Sequence, residues 1–309
     1  MKDVLSFGEP LVGFYPTRGS SIIDDGPIIK TWGGDTSNLA LGIARLGHSV
    51  SYLTKVGDDP FGTAFIRLWQ TNGVDTSFVT IDRNRRTGLY FVSFEEGVHK
   101  LTYYRSNSAA SSITVDCIEA NSLKNYRVLH LSGISIGMSD TALETGIHLV
   151  KLANQGNTKV SFDVNYRAAQ WESVQSAEKA IVQIIDNGVD LLEITDDEMG
   201  ALGWGKSISD LASRFPRCET IIRKEGADGA TVFSKGKKYH FPAISVQVKD
   251  TVGAGDSFDA GFIVALLEGK SIQAAGKFAT ATAALTCTGT GPLERMPTKE
   301  QVNTLLASL

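Results

Sequence analysis

Apolar residues recur along the chain in two rhythms. Short apolar or alternating runs bounded by glycine, proline or polar turns predict buried strands at residues 4–7, 51–56, 128–131, 159–164, 191–194, 220–222 and 230–233. Helical spacing marks a second set of segments. Leu39, Ile43 and Leu46 define one helix closed by Gly47, and others are expected near residues 64–71, 141–153, 272–286 and 299–308. From residue 112 onward strand and helix alternate. That order predicts an α/β fold with a mostly parallel central sheet covered by helices on both faces. Functional groups in such sheets collect beyond the strand C-termini. Two stretches depart from the rhythm. Residues 11–33 carry Pro16, Gly19, Gly26, Pro27 and short β-favouring pieces such as Ser21-Ile22-Ile23, and residues 87–105 hold two β-favouring runs around Glu95-Glu96-Gly97. Both predict a small additional sheet.

One stretch organises the candidate chemistry: Asp250-Thr251-Val252-Gly253-Ala254-Gly255-Asp256. It lies between an alternating segment at 244–248, expected to be a strand, and a helix expected at 257–267 with Gly269 at its C-terminal cap. A strand, a small-residue turn and a helix start point free backbone N–H groups at an anion. Gly253, Ala254 and Gly255 leave room for a phosphate to approach the backbone. Asp256 then stands beside the anion hole as a candidate base for a substrate hydroxyl. The helix dipole is expected to keep it ionised and limit its basicity. An ordinary capped turn would use the same residues. The phosphate loop Gly-x4-Gly-Lys-Ser/Thr is absent.

Other polar clusters fall at predicted element ends. Gly33 and Gly34 precede the helix beginning near Leu39 and form a second close-approach site, with Asn38 able to donate to and accept from a polyol. In Asp163-Val164-Asn165-Tyr166-Arg167, alternate side chains share one side if the backbone stays extended. Arg167 can then grip a phosphate or a carboxylate, and Asp163 and Asn165 can orient Mg²⁺-bound water. A solvated strand-end turn has the same composition. Residues 278–284, with Ala279, Thr282 and Ala283, offer a small-residue wall for adenine, or simply a core-facing helix.

Composition narrows the class. The chain has 309 residues, 42% of them hydrophobic, and a formal net charge of −4, which gives no basic footprint for nucleic acid. Cys117, Cys218 and Cys287 are dispersed and the five histidines lack metal-ligand spacing, so neither a disulfide framework nor a zinc site is expected. No apolar run approaches the roughly 18 residues of a membrane span, and the first residues do not read as a signal peptide, so a cytoplasmic location is expected.

The chain resembles the ribokinase-like (PfkB) carbohydrate kinases. The resemblance rests on Gly33-Gly34 with Asn38, on Gly57-Asp58-Asp59 with Gly62, and on the stretch from Asp250 to Gly261, over nearly the whole length. It implies one ribokinase-like domain over residues 1–309, with residues 11–33 and 87–105 forming a β lid. It also implies ATP and Mg²⁺ as cofactors, a sugar as acceptor and Asp256 as catalytic base. Lys224, Gly226 and Gly229 resemble the nucleotide-binding turn of these kinases, although a hairpin turn accounts for the same pattern. Glu198 matches a family glutamate near magnesium, with Thr195 where the wider family has Asn. Gly88-Leu89-Tyr90, Tyr103-Tyr104-Arg105, Asn165-Tyr166-Arg167 and Thr195-Asp196-Asp197-Glu198 resemble the 2-keto-3-deoxygluconate kinase branch. That likeness implies a keto sugar acid held by Gly33, Gly34, Asn38, Tyr90, Tyr104, Arg105, Arg167 and Asp256. ATP would be held by Asn165, Arg167, Lys224, Gly226, Gly229, Gly253, Gly255, Ala279, Thr282 and Ala283. Fructose or another sugar as acceptor, a nucleoside acceptor and a catalytically silent sugar-binding regulator are the other readings, and the exposed sheet edges of the two excursions make a homo-oligomer plausible.

Overall fold

The computed structural model describes residues 1–16, 22–23, 25–95, 98–119 and 121–309. Ser21 and the turn residues Glu96 and Gly97 lie outside them. The first half of the chain runs β1 (Lys2–Phe7), β2 (Leu11–Pro16), β3 (Ile28–Gly33), α1 (Asp35–Arg45), β4 (Val50–Gly57), α2 (Pro60–Thr71), β5 (Val79–Asp82), β6 (Gly88–Glu95), β7 (Val98–Tyr104), β8 (Tyr126–Ser132), α3 (Gly133–Ile136) and α4 (Asp140–Asn154). It continues through β9 (Lys159–Asp163), α5 (Val174–Asp186), β10 (Leu191–Thr195), α6 (Asp196–Ala201), α7 (Ile208–Arg214), β11 (Thr220–Lys224), β12 (Ala230–Ser234), β13 (Lys237–Phe241), α8 (Ala254–Leu267), α9 (Ile272–Thr286) and α10 (Lys299–Ala307).

Nine strands form the large sheet in the order β13-β12-β11-β10-β9-β8-β1-β4-β5. It is parallel from β11 to β5, and β12 and β13 close it as an antiparallel edge. Alternating side chains divide two cores, as the strand period of two requires. Leu5 and Phe7 join the core containing α4 and α5, while Val4 joins the one containing α1, α8 and α9. This is a ribokinase-like α/β fold. The chain leaves β1 for β4 on one side and returns to β8 on the other, so the strand order reverses at β1. A crevice beyond the strand ends at such a reversal is where α/β sheets bind ligands.

Beyond its N-terminal part, which carries Asp256, Ser257 and Asp259, helix α8 is apolar on every side because it is buried on every side. Residues 257–265 are inaccessible, between α1 on one side and α9 on the other. A Cβ on Gly261 would stand 2.7 Å from Thr282 Oγ1, so the α8–α9 contact needs glycine there. Fully burying a side chain such as Phe262 contributes roughly 1.5–3 kcal/mol, so this helix start is rigidly mounted.

Three expectations change. The segment 244–248 forms no strand; Ile244, Val246 and Val248 do alternate, but onto a cavity rather than a sheet partner. The strand β13 went unforeseen because its lysines mark an exposed edge. Helices α1 and α8 begin earlier than their apolar periodicity, at Asp35 and Ala254, since their first turns are polar or small.

The small sheet has the order β3-β2-β6-β7 and combines the two irregular stretches. One face carries Leu11, Tyr15, Tyr90, Val92 and Tyr103, and the other packs Phe14 and Trp32 on Phe61 and Phe65 of α2.

Candidate active site

A cavity of about 790 Å³ lies between the C-terminal ends of the large sheet, the first turn of α8 and the small sheet. Its floor is the turn before α8. Asp250 ties that turn down, its Oδ1 accepting from the Val252 amide at 3.0 Å and its Oδ2 from the Gly291 amide at 2.8 Å. Gly253 has φ +81°, in the left-handed region, and a Cβ there would stand 2.4 Å from Pro292 Cβ. Glycine is therefore required both for the backbone angle and for the close approach. The Ala254 amide donates to the Thr251 carbonyl at 3.2 Å, while Gly253 and Gly255 line the cavity at the start of α8, where helix-start amides are open to an anion.

Asp256 follows on the cavity wall and accepts from Asn38 Nδ2 at 2.7 Å. The contact joins α1 to α8. Asn38 Oδ1 is buried and has no partner, so it can accept from a bound hydroxyl. The Asp256 carboxyl does not behave as the helix dipole alone suggested. Burial, and then the nearby charge of Asp35, push it up to about 7. Desolvation and like charge outweigh the dipole here.

Asp35 is a central residue to which the sequence reading gave no role. Its Oδ1 accepts from the Thr36 amide at 2.7 Å and its Oδ2 from Asn165 Nδ2 at 2.9 Å. Burial raises it as well. An acid in the first turn of a helix after two glycines was the available signal. Asp163, Asn165 and Arg167 all line the cavity, but not through an extended backbone. Asn165 has φ +36°, so a left-handed step after β9 brings them together, at a cost of order 1–3 kcal/mol.

Glu198 and Thr195 form a capping box at the start of α6. The Thr195 amide donates to Glu198 Oε2 at 3.0 Å, and the Glu198 amide donates to Thr195 Oγ1 at 3.2 Å. Arg167 Nη1 donates to the other oxygen, Oε1, at 3.1 Å. Both carboxylate oxygens are thus engaged, and among the described residues no group of three or more His, Cys, Asp or Glu is arranged to hold a metal ion. A cation here would have to arrive with a ligand and be met through water.

Lys224 and Gly226 line the cavity at the end of β11. Gly229 does not: its φ of +103° and its packing on the Phe241 carbonyl serve the β11–β12 hairpin. On α9, Thr280, Ala283 and Ala284 face the cavity, whereas Ala279 and Thr282 are buried against α8. Helical spacing selects that stripe, and the sequence alone did not reveal which stripe met solvent.

The small sheet supplies the opposite wall. Gly33, Gly34 and Tyr90 line it, and the Tyr90 hydroxyl lies 3.2 Å from that of Tyr15. Tyr104 is on the wrong face. It is 65% exposed and packs edge-on against Phe91, while Tyr103, one residue earlier, faces the cavity. A shift of one residue in a strand reverses the face. Arg105, expected to hold the substrate, does not line the cavity itself; it stands behind Tyr103 and Ile134, which do. Its Nε meets Glu9 Oε2 at 2.6 Å and its Nη2 donates to the Ile134 carbonyl at 3.1 Å, leaving Nη1 buried without a partner. Glu9 is fully buried and also accepts from the Ser108 hydroxyl. Only its place after Gly8 at the end of β1 hinted at a role.

Comparison with known proteins agrees with this geometry. The chain is similar to fructokinase-1 of Oryza sativa subsp. japonica, at 30% identity over 99% of this chain and 98% of that protein. It is equally similar to 2-dehydro-3-deoxygluconokinase of Thermoproteus tenax, at 30% identity over 100% of this chain and 95% of that protein. Its structure superposes on aminoimidazole riboside kinase of Salmonella enterica, solved with aminoimidazole riboside and an ATP analogue, with a TM-score of 0.84, 25% identity and 99% coverage of both chains. The family model for pfkB family carbohydrate kinases matches residues 1–299, and the chain belongs to that family.

Proposed function

We propose that the protein transfers the γ-phosphoryl group of ATP to the terminal (6-) hydroxyl of 2-keto-3-deoxygluconate, giving 2-keto-3-deoxy-6-phosphogluconate and ADP. The observation that carries the choice of acceptor is Arg105 Nη1, a buried donor with no acceptor, beside Tyr103 and near Arg167. Buried donors are rarely left unpaired, and a substrate carboxylate would complete this one. The relative from Thermoproteus tenax supports the reading. Fructose is the second reading, because Arg105 and Arg167 already have Glu9 and Glu198 as counter-charges and the fructokinase relative is as similar.

In either case Asp256 takes the hydroxyl proton. The hydroxyl oxygen forms its bond to the γ-phosphorus as the bond to the β,γ-bridging oxygen breaks, and the amides around Gly253–Gly255 receive the phosphoryl oxygens. Asn38 orients Asp256 and the attacking hydroxyl. Asp163, with Oδ1 buried and unpartnered, and Glu198 would orient the water shell of Mg²⁺ accompanying ATP. That ion neutralises phosphate charge. The small sheet serves as the lid of a single kinase domain, excluding water from the site.

ADP release at equal, sub-saturating concentrations of the two acceptors tests the substrate. The keto acid should be preferred. Arg105→Lys keeps a cation for Glu9 but removes Nη1, and it should lower the keto-acid to fructose ratio of kcat/KM by about 10-fold or more, the scale of one charged hydrogen bond. An unchanged ratio would favour fructose. The pH profile follows from the Asp256 environment: kcat/KM should fall as pH drops through about 7, because the base becomes protonated. A rate independent of pH between 5 and 8 would contradict this, on the expectation that kcat/KM reports the free enzyme over about that range.

A further inference from the structure

Beneath the turn before α8 lies a buried charge group of which this scheme uses only Asp163. Lys224 Nζ is 2.9 Å from Asp163 Oδ2, 3.1 and 3.2 Å from the two oxygens of Asp259, and 3.8 Å from Glu193 Oε2. The three carboxylates come from β9, α8 and β10. The Lys224 side chain nevertheless lines the cavity, and its Nζ is 3.5 Å from where a Cβ on Gly255 would stand. The ammonium therefore sits directly against the turn that would hold the phosphates.

Glu193 Oε2 is buried and has no donor. Burial raises both Glu193 and Asp259. The pair and Asp163 face one ammonium. Burial alone would deprotonate a lysine; these carboxylates instead raise Lys224 well above its ordinary value and keep it charged. His130, close enough for the charge of Asp163 to act on it, is pushed down to about 4 by burial and stays neutral. Lys224 is thus held as a fixed cation rather than a mobile surface lysine.

We propose that Asp259 and Glu193 are positioning residues that, together with Asp163, hold the Lys224 ammonium under the first turn of α8, where it meets the γ-phosphoryl group of the nucleotide. Asp259 lies one helical turn beyond Asp256, so α8 carries both the base and a group that aims the cation. A point charge fixed in a low-dielectric site stabilises transferring phosphoryl oxygens without reorganisation. The inference rests on the ATP-dependent kinase reading and not on which sugar is the acceptor.

The test is equilibrium titration of MgATP and MgADP, without acceptor, into the unmodified protein and into Asp259→Asn, Lys224→Met and the double variant. Asp259→Asn should weaken MgATP about 5- to 10-fold and MgADP less than about 2-fold, and Lys224→Met should weaken MgATP about 30-fold or more, the scale of a charged hydrogen bond. Because Asp259 acts through Lys224, adding Asp259→Asn to Lys224→Met should cost no further ATP affinity. A merely structural Asp259 would weaken both nucleotides alike, or keep its full effect in the Lys224→Met background, and either result overturns the proposal. Lys224→Met leaves carboxylates without a cation and can fail to fold. The double variant removes a cation and an anion together and then carries the test: it should lose the ATP-over-ADP preference by about 30-fold, again the scale of a charged hydrogen bond, and retention of that preference overturns the proposal. Failure of the unmodified protein to bind MgATP would overturn the kinase reading along with it.

Discussion

Asp256→Asn should lower kcat by at least about 10²-fold while changing the KM of the sugar acceptor little, since a lost general base costs on that scale. Asparagine fills the same space, and its amide oxygen can still accept from Asn38 Nδ2, which donates to Asp256 at 2.7 Å. What disappears is proton acceptance. The variant should not be less stable. Burial and the charge of Asp35 raise the Asp256 carboxyl from an ordinary 3.8 to about 7. Between those values the unfolded chain releases a proton that the folded chain retains, so stability falls as pH rises through this window. A neutral amide removes that penalty, and Tm at pH 8 should rise. Near-normal turnover, or loss of kcat accompanied by an equal loss of folded protein, would remove Asp256 from the role of base.

Gly253→Ala should damage the enzyme differently, lowering both kcat/KM and Tm. A side chain at φ +81° costs about 1–2 kcal/mol by itself. The added Cβ also meets Pro292, with Cβ at 2.4 Å and Cα at 2.8 Å, and those are not flexible ends that can swing aside. The turn must shift, and the amides before α8 shift with it. Removing one donor of such a site costs about 10²–10³ in rate. Gly269→Ala is the internal control. Gly269 has φ +73° at the far end of the same helix, with nothing within 4 Å of the added Cβ. It carries the conformational cost without the clash, so Tm should fall modestly and kcat should hold. If the two alanine variants lose stability equally and both keep full kcat, the turn at Gly253 is not the anion hole.

Much of this was legible in the chain because it depends on local rules. A turn of small residues before a helix is a local pattern, and Gly253, Gly255 and Asp256 from it line the cavity. Gly33, Gly34 and Asn38 joined the same site from the other end of the molecule. The alternation of strands and helices sufficed for a parallel sheet, and parallel strands put their C-terminal residues at one edge, so Asp163, Thr195 and Lys224 arrive together. Periodicity failed where its partner was not a sheet. Residues 244–248 alternate as a strand would, yet they face an open cavity.

The short-range chemistry of the turns, the α/β order and the candidate base Asp256 were legible in the sequence itself, because each follows from neighbours a few residues apart. Tertiary structure decided the rest. Tyr103 rather than Tyr104 faces the cavity because the register of β7 on β6 selects the face. Ala283 rather than Ala279 faces it because α9 packs its other stripe on α8. Arg105 is held by Glu9, and Lys224 is held among Asp163, Glu193 and Asp259, by residues far away in the chain. Most decisively, the Asp256 carboxyl is raised to about 7 rather than left as an ionised cap. Desolvation and the charge of Asp35 exist only once the chain has closed around them, and there they exceed the local dipole that the sequence displays.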